Sequence, residues 1–321
     1  MIVSNRLLNI VGFLAIGGLL AMLVVSAACG GDDDDEATPT QSATEGPTAS
    51  GTPEASEPVV VQVGETFWHS GFMVTVDQAT YAGAEDALGT VEWTVAIDAT
   101  FENVGPDTDT FDAEMVLLAG GESWDMSADS DIPSVPGELL QDGTIVFDVD
   151  DAFDFEDASL QVGSADQNQA SVPLGAGGSD LVALEPAEPS VTGQIALELI
   201  TLDFDGAELR ADIPLTHDEM DDGKLHLTLD FSATSRNSGN WSVNVTDFAL
   251  TLPDGTSVPA FSGNNVSLPG NDSGLTTGDL FVGFEVDDPA EGAYTVRFTP
   301  GSWWIENGPT EGEFSFTITI E

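Results

Sequence analysis

The chain has 321 residues and carries 57 Asp and Glu against 5 Lys and Arg, so its formal net charge at pH 7 is −52. Binding to nucleic acid or to anionic lipid headgroups depends on cationic side chains, and their scarcity excludes both functions. The single Cys excludes an intramolecular disulfide framework and any Cys-rich zinc or iron–sulfur site.

The excess of acidic residues from Cys29 onward also bears on the stability of the folded chain. From Cys29 onward only four bases occur, Arg210, Lys224, Arg236 and Arg297. Self-repulsion at this density destabilises a compact state at low salt. We therefore expect a halophile-like acidic surface, suited to a saline medium or to divalent cations; a specific cation-binding role is the alternative.

The first 28 residues have the pattern of a signal peptide. Arg6 precedes an apolar stretch from Leu7 to Val25, and the small residues 26–28 lead directly to Cys29, the one Cys of the chain. This segment resembles the bacterial lipoprotein signal, although Ser26 departs from its usual Leu. The resemblance implies cleavage between Ala28 and Cys29 and a lipid on Cys29. An uncleaved membrane anchor and a soluble secreted protein are the alternatives.

Residues 29–58 read as a tether. They begin with Gly and a run of acids and continue as Thr, Ser, Pro, Ala and Gly without a large apolar residue before residue 59. Such a composition cannot bury enough surface to order itself. We expect this acidic, Thr/Pro-rich segment to be disordered and to hold the folded part away from the membrane.

From residue 59 onward apolar and polar residues alternate with a period of two. The longest runs are Val91–Phe101 and Lys224–Ala233, and Gly, Pro, Asp and Asn clusters separate the shorter ones. Alternation predicts strands with one buried face, and no segment has the pattern of an amphipathic helix. We therefore predict an all-β protein with two tandem antiparallel β-sandwich domains, which the resemblance described below implies are immunoglobulin-like.

Paired features divide the chain. The first long strand leads into Asn103-Val104-Gly105 and the second into Asn237-Ser238-Gly239, and Gly143 and Gly278 are each expected ahead of a later strand. Features repeated in the same order indicate an internal duplication. The predicted segments are a signal peptide (1–28), a tether (29–58), a first module (59–174), a linker (175–190) and a second module (191–321).

The first module also carries a resemblance. Its motifs are Gly64-Glu65-Thr66, Asn103-x-Gly105, a Leu117-x-x-Gly-Gly turn, Pro136 and the pattern Gly143-x-x-x-Phe-x-Val. It resembles the immunoglobulin-like lipoprotein modules of unknown function that many bacteria carry behind a lipobox and a Thr/Pro tether. The resemblance implies the fold and an extracytoplasmic location, and it supplies no catalytic residues.

No catalytic constellation stands out. Nucleophilic catalysis needs Ser, Thr or Cys beside a base. Of the three histidines, we expect His226 on the polar face of its strand, His69 in a turn and His217 in an acidic loop. Paired carboxylates suited to glycoside hydrolysis arise by chance among so many acids. The sequence therefore predicts that the protein is not an enzyme and has no resident cofactor.

Calcium is the cofactor that the residues make most plausible, because it takes six to eight oxygen ligands. The acids at two corresponding strand ends are candidate ligands, although neither place has EF-hand spacing. These acids are Asp148, Asp150 and Asp151 in the first module and Asp287 and Asp288 in the second. The alternative is an acidic, solvated end to each strand.

Two further features suggest partners. Trp303 and Trp304 are adjacent, so in a strand they point to opposite faces, and one of them is a candidate for contact with a glycan or a protein. Four Asn-x-Ser/Thr sequons fall at Asn240, Asn244, Asn265 and Asn271, and the sequence does not decide whether they carry glycans or only form polar turns.

Together these observations predict a non-catalytic binding or adhesion protein, lipid-anchored outside the cell, with an envelope protein or a glycan as partner. The alternative is a solute- or calcium-binding envelope lipoprotein, and a secreted hydrolase comes third. The ligand and the oligomeric state do not follow from the sequence.

Overall fold

The computed structural model of the chain describes residues 57–85, 88–236, 238–270, 274–301 and 311–319. These residues form antiparallel sheets, and the single helical element among them is a 3₁₀ turn at Val245–Asp247. The prediction of an all-β, antiparallel sandwich architecture is confirmed. None of the described segments forms a helix that is both long and apolar enough to cross a membrane.

Ten strands build the first sandwich. One sheet has the order β1-β2-β3-β8, the other has the order β10-β9-β5-β6, and β4 pairs with β7. The strands are β1 (Val59–His69), β2 (Phe72–Glu85), β3 (Val91–Asn103), β4 (Asp109–Thr110), β5 (Met115–Ala119), β6 (Glu122–Asp125), β7 (Ser134–Val135), β8 (Leu140–Val149), β9 (Ser159–Val162) and β10 (Ala170–Pro173).

The second sandwich contains the remaining strands. Its larger sheet has the order β11-β12-β15-β21-β19, its second sheet has the order β18-β17-β22-β23, and the pairs β13-β14 and β16-β20 complete it. The strands are β11 (Gly193–Ala196), β12 (Ile200–Arg210), β13 (Asp212–Ile213), β14 (Asp218–Glu219), β15 (Lys224–Ser235), β16 (Trp241–Val243), β17 (Phe248–Thr251), β18 (Ser257–Pro259), β19 (Ser262–Gly263), β20 (Val266–Leu268), β21 (Leu275–Asp287), β22 (Gly292–Phe298) and β23 (Gly312–Ile318).

The two sandwiches share one strand order. The sheet β1-β2-β3-β8 corresponds to β11-β12-β15-β21, and the sheet β6-β5-β9-β10 corresponds to β18-β17-β22-β23. The second strands of the corresponding sheets β1-β2-β3-β8 and β11-β12-β15-β21 also each carry a bulge, between Val76 and Gln78 in β2 and between Phe204 and Gly206 in β12. This repetition supports the interpretation of an internal duplication.

Each sandwich has its own apolar core. The residues of one buried cluster fall between 67 and 174 and those of the other between 191 and 318. Alternation along β3 and β15 supplies the inward face, as the period of two predicts: Val95, Ile97 and Phe101 are fully buried in the first core. Trp93, near the open end of β3, is only half-buried.

Two glycines differ from the prediction. Gly143 and Gly278 lie inside β8 and β21 rather than ahead of them. A Cβ at Gly143 would come within 2.7 Å of the Asp131 carbonyl oxygen. Gly143 therefore allows the loop around Asp131, which pairs with Thr144, to lie directly on β8.

The segment between the sandwiches is held on both sides. The Trp68 amide donates to the Ala183 carbonyl at 2.8 Å, and Ser171 forms a bridge with Val182. Further along, the Ala187 amide donates to the carbonyl of Leu209 at 3.0 Å. Both sandwiches belong to one compact unit, Pro53–Glu321.

Candidate functional site

The predicted site residues fall into three groups. Cys29, Ala28, Trp303, Trp304 and the sequon at Asn271 lie outside the described residues. Three of the predicted calcium ligands come together in a groove of the first sandwich. The other two belong to the second sandwich, where they lie at the end of β21.

This groove, of about 640 Å³, lies where β3 begins and β8 ends. The strands pair there so that Trp93 faces Val149 and Thr94 faces Asp148. We call it the Trp93 groove, and it is lined by the apolar Val91 and Val149, by the indole of Trp93, and by the carboxylates of Glu92, Asp129, Asp148, Asp150 and Asp151.

Trp93, one of the lining residues of the groove, belongs to an aromatic stack. The ring of Trp93 lies on that of Tyr81, with centroids 5.0 Å apart and planes inclined by 21°. Gly83 faces Trp93 across β2, and a Cβ there would come within 2.9 Å of the indole, so the stack needs a glycine at this position. The Tyr81 hydroxyl donates to the Asp150 carbonyl at 3.2 Å, which joins the stack to the acidic loop.

The carboxylates of the Trp93 groove bond to neutral donors. The Ser127 hydroxyl donates to Asp148 at 3.0 Å, and the Ala152 amide donates to Asp150 at 2.9 Å. The sequence has no Lys or Arg between Cys29 and Leu209 to neutralise them. Burial, with the negative charges of Asp151 and Asp150, raises the pKa of Tyr81, so the negative potential extends to the aromatic stack.

A second acidic hollow, of about 460 Å³, opens on the face of the same sheet. Asp98 is its most fully bonded carboxylate, since it accepts from Gln78 at 2.7 Å and from the Thr144 hydroxyl at 3.2 Å. Asp77, Asp131 and Asp142 complete the acidic lining. Because no aromatic ring lines it, this hollow offers less to an organic cation than the Trp93 groove.

The predicted acids of the second sandwich have a different setting. Lys224, the single lysine of the chain, donates to Asp287 at 2.5 Å and lies 3.5 Å from Glu285. Asp288 follows at the end of β21. Nowhere in the described ranges do three or more His, Cys, Asp or Glu side chains form a group that could hold a metal ion. The calcium prediction remains a prediction.

Three of the four sequons lie at one ribbon of the second sandwich, formed by β16 and β20. Their side chains support turns: Asn240 accepts from the Gly270 amide, Asn265 accepts from the Val245 amide, and Asn244 donates to Asp247. These bonds account for the Asn residues as turn formers and leave the question of glycans open.

The expectations for His69 and His226 were wrong, whereas His217 lies, as expected, in the loop between β13 and β14. His69 and His226 are 1% and 4% exposed, and all three histidines lie at or beside the contact between the sandwiches, which we call the junction. The alternation of β15 misplaces His226, because β19 and its flanking residues cover that face: Ser262 bonds the ring at 2.7 Å and Phe261 packs on it. Burial lowers the pKa of both His69 and His226 to about 4.

The turn between β1 and β2 makes the first junction contacts. Ser70 and Gly71 both have positive φ, at 49° and 76°, as a tight hairpin turn requires. Their amides point at two acids of the second sandwich: Ser70 donates to Glu219 at 2.9 Å and Gly71 donates to Asp212 at 2.6 Å. The hairpin is therefore bonded to β13 and β14 through its backbone.

Arg210 balances one of these acids. Its Nε donates to one oxygen of Asp212 at 2.6 Å and its Nη2 to the other at 3.2 Å, while Nη1 reaches Glu208 at 3.1 Å. Arg210 and Asp212 are both buried. Bidentate pairing is the arrangement in which a buried ion pair is best satisfied.

Glu219 has no such cation. Its side chain is fully buried, its Oε2 accepts from Ser70 and lies 3.5 Å from His69 Nδ1, and its Oε1 has no hydrogen-bond partner. Burial, with the nearby charge of Asp212, raises the pKa of Glu219 to about 9, against the opposing effect of the Ser70 amide. At neutral pH the buried pair of Glu219 and His69 therefore keeps a proton.

Two side chains complete the junction. His217 lies in a socket of the first sandwich, 3.0 Å from Asn103 Oδ1 and 3.1 Å from Asp109. Cβ atoms at Gly71 or Gly105 would come within 2.7–2.8 Å of its ring. In the opposite direction, Asn168 donates to the Lys224 carbonyl at 2.8 Å and accepts from the Gly223 amide at 3.1 Å.

Sequence reasoning missed the junction for identifiable reasons. Asp212, Glu219 and Asn168 are ordinary polar residues in loops and short strands, and no local pattern marks them. Two signals were present: Arg210 is a rare base at the end of a buried strand, and His226 lies between two leucines. The Asn103-x-Gly105 motif, interpreted as a turn, also forms the socket for His217.

No protein-family model and no curated protein matches this chain. Among solved structures, it is similar to a conserved domain protein from Bacillus anthracis at 10% sequence identity, over 82% of this chain and 91% of that one, with a TM-score of 0.22. A TM-score this low does not establish that the two chains share a fold.

Proposed function

We propose that the protein is a lipid-anchored extracytoplasmic binding protein without catalytic activity, and that the Trp93 groove is its binding site. The anchor part of the proposal comes from the signal-like segment that ends at Cys29 and from the Thr/Pro-rich tether. The binding part comes from one observation, the combination of a concave surface, a stacked indole and unneutralised carboxylates.

The chemistry of the Trp93 groove favours a ligand with ammonium or guanidinium groups. A cation over an indole face gains about 0.5–2 kcal/mol, and carboxylates form charge-assisted hydrogen bonds to such groups. Trp93 supplies the aromatic face, and Asp148, Asp150 and Asp151 supply the carboxylates. A basic peptide segment of an envelope protein or a polyamine has this chemistry.

The binding proposal is tested by calorimetric titration of the full chain with spermine and with oligolysine at fixed ionic strength. The decisive variant is Asp150→Asn/Asp151→Asn, and the matched control is Glu185→Gln/Glu188→Gln, which removes two charges from the inter-sandwich segment. We expect the groove variant to bind about tenfold more weakly, a loss of ~1.4 kcal/mol, and the control to bind as the unmodified chain does. Equal weakening in both variants would reduce the effect to general attraction by a polyanion.

Calcium remains the second candidate, since three of the acids predicted as its ligands line this same groove, although in the described residues they do not form a group of three side chains that could hold a metal ion. Thermal unfolding with and without calcium, at constant high ionic strength, separates it from the organic cations. A rise in Tm with calcium that Asp150→Asn/Asp151→Asn abolishes would favour calcium as the ligand. A Tm that calcium leaves unchanged would exclude calcium as the ligand.

The anchor is tested separately by mass spectrometry of the mature amino terminus from native membranes. We expect a chain that begins at a diacylated Cys29, and we expect Cys29→Ser to remain unprocessed. An unmodified Met1 or recovery from the cytosol would contradict the anchor and leave the groove proposal untouched.

A further inference from the structure

We propose that the contact between the two sandwiches is proton-linked: the junction closes with one proton held by Glu219 and His69, and loss of that proton opens it. The inference is independent of the proposed binding function, because it concerns residues outside the Trp93 groove.

Glu219 and His69 meet across the junction. Glu219 comes from β14 of the second sandwich, and His69 ends β1 of the first, so the two side chains meet only when the sandwiches are in contact. The Ser70 hydroxyl lies 2.9 Å from His69 Nδ1, and the Ser70 amide bonds Glu219. A Cβ at Gly163 would come within 2.6 Å of His69 Nε2, so the ring is enclosed on that side as well.

The surroundings of the pair disfavour an ionised Glu219. Asp212 is the nearest acid, and Arg210 already shares its charge between Asp212 and Glu208. A bare carboxylate at Glu219 would therefore be buried beside another negative group, and the amides of Ser70 and Met220 and the already shared charge of Arg210 only partly offset that cost. Burying an unpaired charge costs several kcal/mol, so the pair keeps a proton.

The number of protons held by the closed pair is the same whichever of the two side chains carries the proton. A neutral His69 beside a protonated Glu219, and a charged His69 beside an ionised Glu219, both hold one proton. In the open state water solvates both groups, and they return to ordinary values of 6.5 for His and 4.5 for Glu. Above pH 6.5 the open pair holds no proton, so closing takes up one.

The direction of the pH dependence follows from the linkage between proton binding and closing of the junction. One proton taken up on closing makes the open population grow about tenfold for each pH unit between 6.5 and 9. Between pH 4.5 and 6.5 the open state holds one proton on His69, so the pair contributes no pH dependence there. The contact is therefore tightest in mild acid and loosens toward alkaline pH.

The other charged groups at the junction do not reverse this sign. Both ring nitrogens of His217 face oxygen acceptors, Asn103 Oδ1 and Asp109. His226 is an uncharged base above pH 6.5 in either state. The groups that face the pair from the surrounding elements are Glu208, Arg210, Asp212, His217 with Asp109, and His226.

Hydrogen exchange with mass spectrometry on the full chain tests the proposal. Protection factors are measured between pH 6.5 and 8.5 for peptides that contain Ser70 and Gly71, and for peptides from the middle of β3 as an internal reference. We expect junction protection to fall about tenfold per pH unit while the reference stays constant. A junction protection that is flat over this range would overturn the proposal, whatever the variants show.

Two variants sharpen the test. Glu219→Gln has the shape of the protonated acid and cannot ionise, so we expect junction protection to persist at pH 8.5 without a slope. Glu313→Gln removes a carboxylate from an exposed ion pair with Arg297 and keeps the slope of the unmodified chain. A Glu219→Gln chain that folds and still shows the slope would refute the role of Glu219; if it does not fold, the slope of the unmodified chain decides.

Discussion

The Gly71 amide of the first sandwich donates to Asp212 of the second at 2.6 Å, although the two residues are 141 positions apart. The same carboxylate is held in two-point contact by Arg210. An ion pair inside one sandwich thus orients the acceptor for a backbone amide of the other. The junction depends on that orientation, and the following predictions test its parts.

Removing Arg210 should weaken the fold strongly. Arg210→Ala leaves Asp212 as a buried carboxylate without its cation, and such losses cost about 3–5 kcal/mol of unfolding free energy. The matched control is Arg297→Ala, since Arg297 pairs with Glu313 where both side chains are about half exposed; exposed pairs contribute about 0.2–1 kcal/mol. Urea unfolding at fixed ionic strength measures both, and equal losses would contradict a structural role for the buried pair.

A methyl group in the His217 socket should also destabilise. A Cβ at Gly105 meets the Pro214 carbonyl and lies 2.8 Å from His217 Nε2, so Gly105→Ala must displace the 214–217 loop. Overpacking of this kind costs about 1–3 kcal/mol. Gly278→Ala adds the same methyl group to a strand where nothing lies within 4 Å, and we expect it to be neutral or slightly stabilising. Thermal unfolding distinguishes them; a Gly105→Ala chain as stable as Gly278→Ala would show that the socket is loose.

The rings of His69 and His226 should stay uncharged well below pH 6.5. Burial lowers the pKa of His69 and His226 to about 4, so their ring signals in NMR should stay constant from pH 8 to about 5. His226→Gln assigns one of the two signals. Because the folded pKa of His226 is below its unfolded value, its stabilising contribution is complete above pH 6.5 and is lost as the pH falls toward 4, by up to about 3 kcal/mol. Titration of both rings near pH 6.5 would show that they are open to solvent.

Salt should stabilise the folded chain. With a net charge of −52, repulsion acts across the whole surface, and the screening length falls from about 10 Å at 0.1 M to about 3 Å at 1 M salt. We expect Tm to rise steeply between 0.05 and 1 M NaCl. Sucrose, which strengthens apolar burial without screening charge, serves as the control. A Tm that is independent of NaCl would show that repulsion between surface charges does not destabilise the folded chain.

Much of the architecture follows from the sequence. Alternation with a period of two predicts the central strands β3 and β15, because a sheet with one buried face imposes that period. The scarcity of Lys and Arg predicts an acidic surface, and the acids at the end of β8, predicted as candidate calcium ligands, are the ones that line the Trp93 groove. These are local properties, readable within about ten residues.

Only the tertiary structure places Glu219 beside His69 and Asp212 against the Gly71 amide. Neither pairing leaves a periodic signal, because each joins a turn of one sandwich to a two-residue strand of the other about 140–150 positions away. The burial of His226 was hidden for the same reason: alternation along β15 shows which residues share a face, but the covering by Ser262 and Phe261 comes from a distant part of the chain. Local pattern thus determined the strands, and long-range packing decided which polar groups lost their water.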